Sequence, residues 1–167
     1  MPIEAVRTAK IVLVGCVGVL GVLTGIDNIL DYRTNFEVVR HILSMDALPP
    51  RGAFAWRAIT DPRLQRLAYA AIIATELLYG ILCILGALRL AGGGRGPGVR
   101  SFDAAKGLAV AGLALGFVLY FFGFLIVGGE WFQMWQAGQW NMQEPAFRFL
   151  GAIGLVLILL CVPDADR

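Results

Sequence analysis

The chain has 167 residues, of which 58% are hydrophobic and 16% charged, with a formal net charge of +2 at pH 7. Soluble domains are about 45–50% apolar, so this composition, with a mean hydropathy of +0.72, argues against a soluble fold. The small net charge and the absence of Lys/Arg runs exclude a nucleic-acid-binding surface.

The apolar residues fall into four blocks, each near the roughly 20 residues needed to cross a hydrocarbon core. They predict an all-α chain with one integral membrane domain over 1–167. Its architecture is a four-helix transmembrane bundle with a short amphipathic interfacial helix in the first outer loop. The first helix is expected over about 8–30. Leu13-Val14-Gly15-Cys16 resembles a lipoprotein cleavage box, but too few apolar residues separate Lys10 from Cys16 for a signal peptide, so an uncleaved membrane helix is expected. Gly15, Gly18, Gly21 and Gly25 form a smooth stripe where another helix can approach closely. Packing within the bundle is the expected use of that stripe, ahead of dimerisation.

The connection from Asp31 to Asp61 carries the amphipathic helix. Thr34 and Glu37 have the spacing of a capping box, and Phe36, Val39 and Leu43 recur at helical spacing. Arg33, Glu37 and Arg40 keep the rest polar, as on a helix lying in a membrane interface. Pro49-Pro50 ends the segment, and Phe54 and Trp56 suit the interfacial zone. The second helix is expected over about 62–90, with Asp61 as cap and Pro62 in the first helical position. The Gly/Arg-rich stretch Ala91–Gly98 then reads as a turn between two helical hairpins.

The third helix is expected over about 103–127, with glycines at Gly107, Gly112, Gly116 and Gly123. The following loop holds Glu130, Trp131, Trp135 and Trp140, the setting of an interfacial aromatic belt. The fourth helix is expected over about 145–162, followed by a short acidic tail. Four crossings put both termini on one side. The 14 Lys and Arg residues divide evenly between the two faces, so the positive-inside rule does not orient the chain. The plain Gly/Arg connector favours cytoplasmic termini.

Glu76 is the main candidate for chemistry, because a carboxylate well inside a membrane helix is costly and must be protonated, paired or turned inward. Asp27, Asn28 and Arg148 fall near the same leaflet, so an intramembrane polar cluster of Asp27, Asn28, Glu76 and Arg148 is expected. It could lock helix packing, relay a proton or ion, or anchor a ligand. A second candidate region is a partner- or lipid-binding outer face made of Phe36, His41, Trp56, Glu130, Trp131, Trp135 and Trp140. His41 is the single histidine; with only Glu37 and Asp46 near it, the sequence indicates no metal site, no haem and no other cofactor. Cys16, Cys83 and Cys161 lack CxxC partners and read as small buried apolar residues. No nucleophile elbow and no phosphate-binding glycine loop is present, so no catalytic residues are assigned.

Several strings in the two outer loops resemble a known family. Asp31-Tyr32-Arg33-Thr34-Asn35-Phe36, His41-Ile42-Leu43-Ser44-Met45-Asp46 and Trp56-Arg57-Ala58-Ile59 are similar to one half of its pattern. Gly128-Gly129-Glu130-Trp131-Phe132, Met134-Trp135-Gln136, Trp140-Asn141 and Ala146-Phe147-Arg148 are similar to the other. The family is a bacterial set of predicted small integral membrane proteins, a domain of unknown function. The resemblance covers nearly the whole chain and implies a four-helix protein of the bacterial inner membrane. It brings no activity or catalytic residue with it. The expected function is that of a small non-catalytic accessory or assembly subunit, with membrane lipids and other membrane subunits as partners. The alternatives are a homo-oligomeric transporter or channel subunit using Glu76, and a lipid- or quinone-binding membrane protein.

Overall fold

A computed structural model describes residues 3–48, 53–93 and 99–164. Of the expected turn Ala91–Gly98, the first three residues continue the preceding helix, and residues 94–98, like the Pro49-Pro50 stop, lie outside the described residues. Among the described residues the regular elements are all helical: α1 Ile3–Leu30, α2 Tyr32–Ser44, α3 Pro62–Gly93, α4 Val99–Ala105, α5 Gly107–Val118 and α6 Gln143–Cys161. α5 continues directly as a wide, π-type helix over Leu119–Trp131, and short 3-10 turns follow at Met134–Gln136 and Gly138–Trp140. Four helical segments, Ile3–Leu30, Pro62–Gly92, Gly107–Trp131 and Gly138–Cys161, are long and apolar enough to cross a membrane.

α1 has 28 residues and α3 has 32. At 1.5 Å per residue both exceed a hydrocarbon core of about 30 Å. α3 begins as expected: Asp61 Oδ1 accepts the Arg63 amide at 2.7 Å, with Pro62 in the first position, where its missing N–H costs nothing. α2 begins earlier than the capping-box spacing implies. Its first residue is Tyr32, Asp31 holds the cap position without a side-chain bond, and Thr34 and Glu37 lie inside the helix. It ends where Met45 takes a left-handed conformation with φ 51.

Lipid tails are as apolar as leucine, so helices in a bilayer associate through close packing rather than by escaping water. The α1 glycine stripe serves that purpose against α3. A Cβ built on Gly18 would lie 2.8 Å from the Ile84 amide nitrogen, and one on Gly80 would lie 2.6 Å from that of Val22. An adjacent face of α3 is equally tight against α5, where a Cβ on Gly112 would lie 2.9 Å from the Cys83 nitrogen. α3 is therefore the central helix, held by small residues on two sides. Not every predicted glycine contact is used: a Cβ on Gly107 would meet nothing within 4 Å. The cysteines also differ from expectation. Cys83 is buried, but Cys16 and Cys161 are exposed on the outside of the bundle.

At the end of the bundle where α1 begins and α6 ends, Asp164 of the expected acidic tail is buried among charges. Lys10, only 1% exposed, donates to the Val162 carbonyl at 2.7 Å and to Asp164 Oδ2 at 3.0 Å. Lys106, at the break between α4 and α5, approaches the same carboxylate oxygen at 2.9 Å and Asp103 at 2.6 Å. Asp164 thus ties α1, the start of α5 and the chain beyond α6 together. Burial alone would raise its pKa, but hydrogen bonds from Lys106 and Lys10 hold it below the ordinary carboxylate value. Burial likewise works to lower that of Lys106, while Asp103 and Asp164 raise it above the usual lysine value.

A carboxylate whose pKa is lower folded than unfolded adds stability above its unfolded value and loses it as the pH falls through the folded one. The thermal midpoint in detergent should therefore drop as the pH is lowered below about 3.9, the ordinary aspartate value. Asp164→Asn should cost roughly 3 kcal/mol near neutral pH, the order expected when a buried ion pair loses one partner, and should flatten that acid limb. A variant with unchanged midpoint and acid limb would show that the clamp is not formed.

Candidate functional site

The α1/α3 crossing brings the ends of two polar side chains together at the opposite end of the bundle. Glu76 lies 14 residues beyond Pro62, about 21 Å along α3 at the helical rise, and is 3% exposed. Asn28, near the end of α1, donates from Nδ2 to Glu76 Oε2 at 2.7 Å. Its amide is oriented by Tyr69, whose hydroxyl donates to the Asn28 backbone carbonyl at 2.9 Å and lies 3.2 Å from Oδ1. With both Asn28 oxygens turned to the one phenol O–H, the NH₂ is left to face the carboxylate. Tyr69 is itself held by Tyr32 and Phe36, with ring centroids at 4.9 and 5.7 Å.

Two of the four residues expected to converge are thus bonded to each other, and the other two are placed differently. Asp27 is exposed on α1 but borders the cavity into which Glu76 faces. Arg148 does not join the cluster. Its guanidinium pairs with Glu144 at 2.5 Å, and its side chain is 71% exposed. The reason is helical phase: the buried face of α6 is set by Ala146, Leu150 and Ile153, and Arg148 falls between those positions. Among the described residues no Lys or Arg forms an ion pair with Glu76.

Glu76, Asn28 and Asp27 open onto a cavity of about 270 Å³ between α1, α2, α3, the wide helix and α6. Tyr69, Tyr120, Phe124 and Phe149 supply aromatic walls. A second cavity, of about 320 Å³, lies beside it and is almost wholly apolar, with Ile42, Leu119, Phe122 and Phe132 among its lining. Val38, Val39, Ile72 and Phe124 border both. The pair therefore forms one polar and one apolar compartment under α2. The wide helix contributes to both. It runs for 13 residues, far beyond the single turn usual for this geometry, which is otherwise found mostly at functional sites. Its residues Tyr120 and Phe124 pack at 5.6 Å between centroids. Nothing in the residue pattern from Leu119 to Trp131 signals the change from α to π.

The outer-face candidates fall into separate groups. Phe36 supports Tyr69, as above. His41 stacks on Trp140 at 4.2 Å between centroids and bonds Asp46 at 2.6 Å. Burial acts to raise the Asp46 value, yet bonds from His41 and Ser44 and the charges of His41 and Arg40 leave it lowered. The Arg40 value is raised, chiefly by its hydrogen bond to Glu37. Among the described residues no cluster of three metal-ligating side chains occurs.

In a second group Arg57 lies over the rings of Phe54, at 4.1 Å, and Trp131, at 4.4 Å, and donates to the Trp131 carbonyl at 3.1 Å. Trp56 meets Trp131 edge-on at 5.8 Å. Trp135 is 54% exposed, and Glu130 is exposed while its carbonyl accepts from Gln133. Between the two groups, Ile42, Met45, Phe132, Met134 and Ala137 form a small apolar core, and the Ile59 amide bonds the Leu43 carbonyl at 2.7 Å. The two long connections are therefore one packed cap, which covers the cavity pair.

Four apolar spans with both long connections packed at one end define a multi-pass integral membrane protein. The chain belongs to the family described as predicted small integral membrane protein, DUF2165, whose pattern matches residues 6–163. No curated protein and no solved structure matches it.

Proposed function

We propose that this chain is a non-catalytic binding protein that holds an amphipathic small molecule of the bilayer in the paired cavities, polar end at Glu76 and tail in the apolar compartment. The observation that supports this most strongly is Glu76 itself: a buried carboxylate, bonded by one amide, facing into space. A buried carboxylate kept only to lock helices would be expected to meet a counter-charge from the protein, as Asp164 meets two lysines, because an ionised group without one is costly to bury. Ligand sites are mostly apolar with a few placed polar groups, and the cavity pair has that composition. In this proposal the protein sits in a bacterial inner membrane with cytoplasmic termini, and α2 lies at the outer interface as a roof over the site.

A second reading, as an accessory subunit of a larger membrane complex, draws on the Phe54, Trp56, Arg57 and Trp131 group with exposed Trp135 beside it. Aromatic and Arg side chains are enriched where proteins dock. Mild-detergent purification from native membranes discriminates here: a protein partner in fixed ratio supports the subunit, and a chain that comes down without one rejects it.

Filling the shared wall tests the binding proposal. Val39→Trp and Ile72→Trp should each reduce lipid or added amphiphile retained in native mass spectrometry by tenfold or more. The helical circular dichroism should stay unchanged. Retention equal to wild type in both variants would overturn the proposal.

A further inference from the structure

The charge distribution around the polar compartment narrows the ligand's chemistry. Two carboxylates border it, Asp27 and Glu76, and no Lys or Arg is among its described lining residues. Asn28 gives an N–H to Glu76 and turns its oxygens to Tyr69, and it brings no charge to the site. Four aromatic rings face the same space, Tyr69, Tyr120, Phe124 and Phe149. Carboxylates attract a cation, and the faces of aromatic rings do the same through their quadrupole. An anionic head would meet like charge in surroundings of low dielectric, where repulsion is strong. Beyond the wall of Val38, Val39, Ile72 and Phe124 the space turns apolar, which suits a hydrocarbon tail and not a second polar group.

We propose that the Glu76 cavity is a site for an organic ammonium carried on an apolar tail, the cation seated against Glu76 and Asp27 and the tail beside Ile42 and Phe122. This rests on the amphiphile-binding function proposed above and adds the sign of the head. A bound cation supplies the counter-charge that the described protein groups do not, so an ionised Glu76 is tolerated in the occupied site. The same ammonium chemistry occurs in free single-chain amines and in the heads of aminophospholipids. A phosphodiester would bring an anion against the two carboxylates, so the single-chain amine is the better fit.

The test uses the full chain in nanodiscs of phosphatidylglycerol, with decylammonium, decanol and decanoate as probes of equal tail length. Decylammonium should bind at least tenfold more tightly than decanol, and decanoate more weakly than either. Glu76→Gln should abolish the ammonium preference while decanol still binds. Asp27→Asn, an exposed and conservative change, should reduce the preference even if Glu76→Gln does not fold. Adding phosphatidylethanolamine to the disc should leave decylammonium affinity unchanged if free amines are the ligand, and weaken it if the aminophospholipid head competes for the site. Either result keeps the ammonium assignment. Equal binding of the three probes, or a preference that survives both substitutions, would overturn the inference while leaving amphiphile binding intact. No binding by any probe would overturn both.

Discussion

The close approach of α1 to α3 is the constraint on which the polar site depends. Hydrocarbon gives helices no solvent-driven reason to associate, so the crossing relies on backbone contact through Gly18, Gly21, Gly25 and Gly80. That contact sets the rotation of both helices. Once Gly80 faces α1, Glu76 one turn earlier faces the same way, and Asn28 comes within hydrogen-bond reach of it. α5 presses on an adjacent face of α3 through Gly112, so the central helix cannot turn Glu76 out towards lipid without breaking two seams. A side chain that would be costly in the bilayer is thereby kept inside at no expense to the lipid-facing surface.

The two ends of the bundle treat buried acids in opposite ways. At the terminal end Asp164 receives two lysine ammonium groups on one oxygen and closes the structure. At the capped end Glu76 receives one amide and faces a cavity. An acid held by two cations has a structural role that accounts for its position. An acid with one neutral donor, roofed by a helix and walled by aromatic rings, has capacity to spare. The contrast lies within one chain, and it separates the residue that fastens the fold from the one available for binding.

Much of the architecture follows from residue types alone. Span length and hydropathy set the four crossings, Asp61-Pro62 marks the start of α3, and the depth of Glu76 is a matter of counting along the helix. The pairing of Asn28 with Glu76 is also within reach, since both sit near the same end of neighbouring helices. The placement of Arg148 needs the phase of α6, which the spacing of Ala146, Leu150 and Ile153 carries, and proximity to one leaflet is a poorer guide than that phase. The Lys10–Asp164 pair joins residues 154 positions apart, and no local pattern announces it. The wide helix after Val118 is likewise invisible to composition, because α and π turns draw on the same apolar residues.

The claim that carries the account is that Glu76 is a carboxyl group in a ligand-accessible, apolar cavity. A membrane-permeant carbodiimide tests it directly, since such reagents modify carboxyl groups in apolar surroundings, and peptide mass spectrometry reads the position. The account predicts modification concentrated at Glu76 and suppressed when decylammonium is present. Absence of label at Glu76, or labelling that the cation leaves untouched, would contradict it.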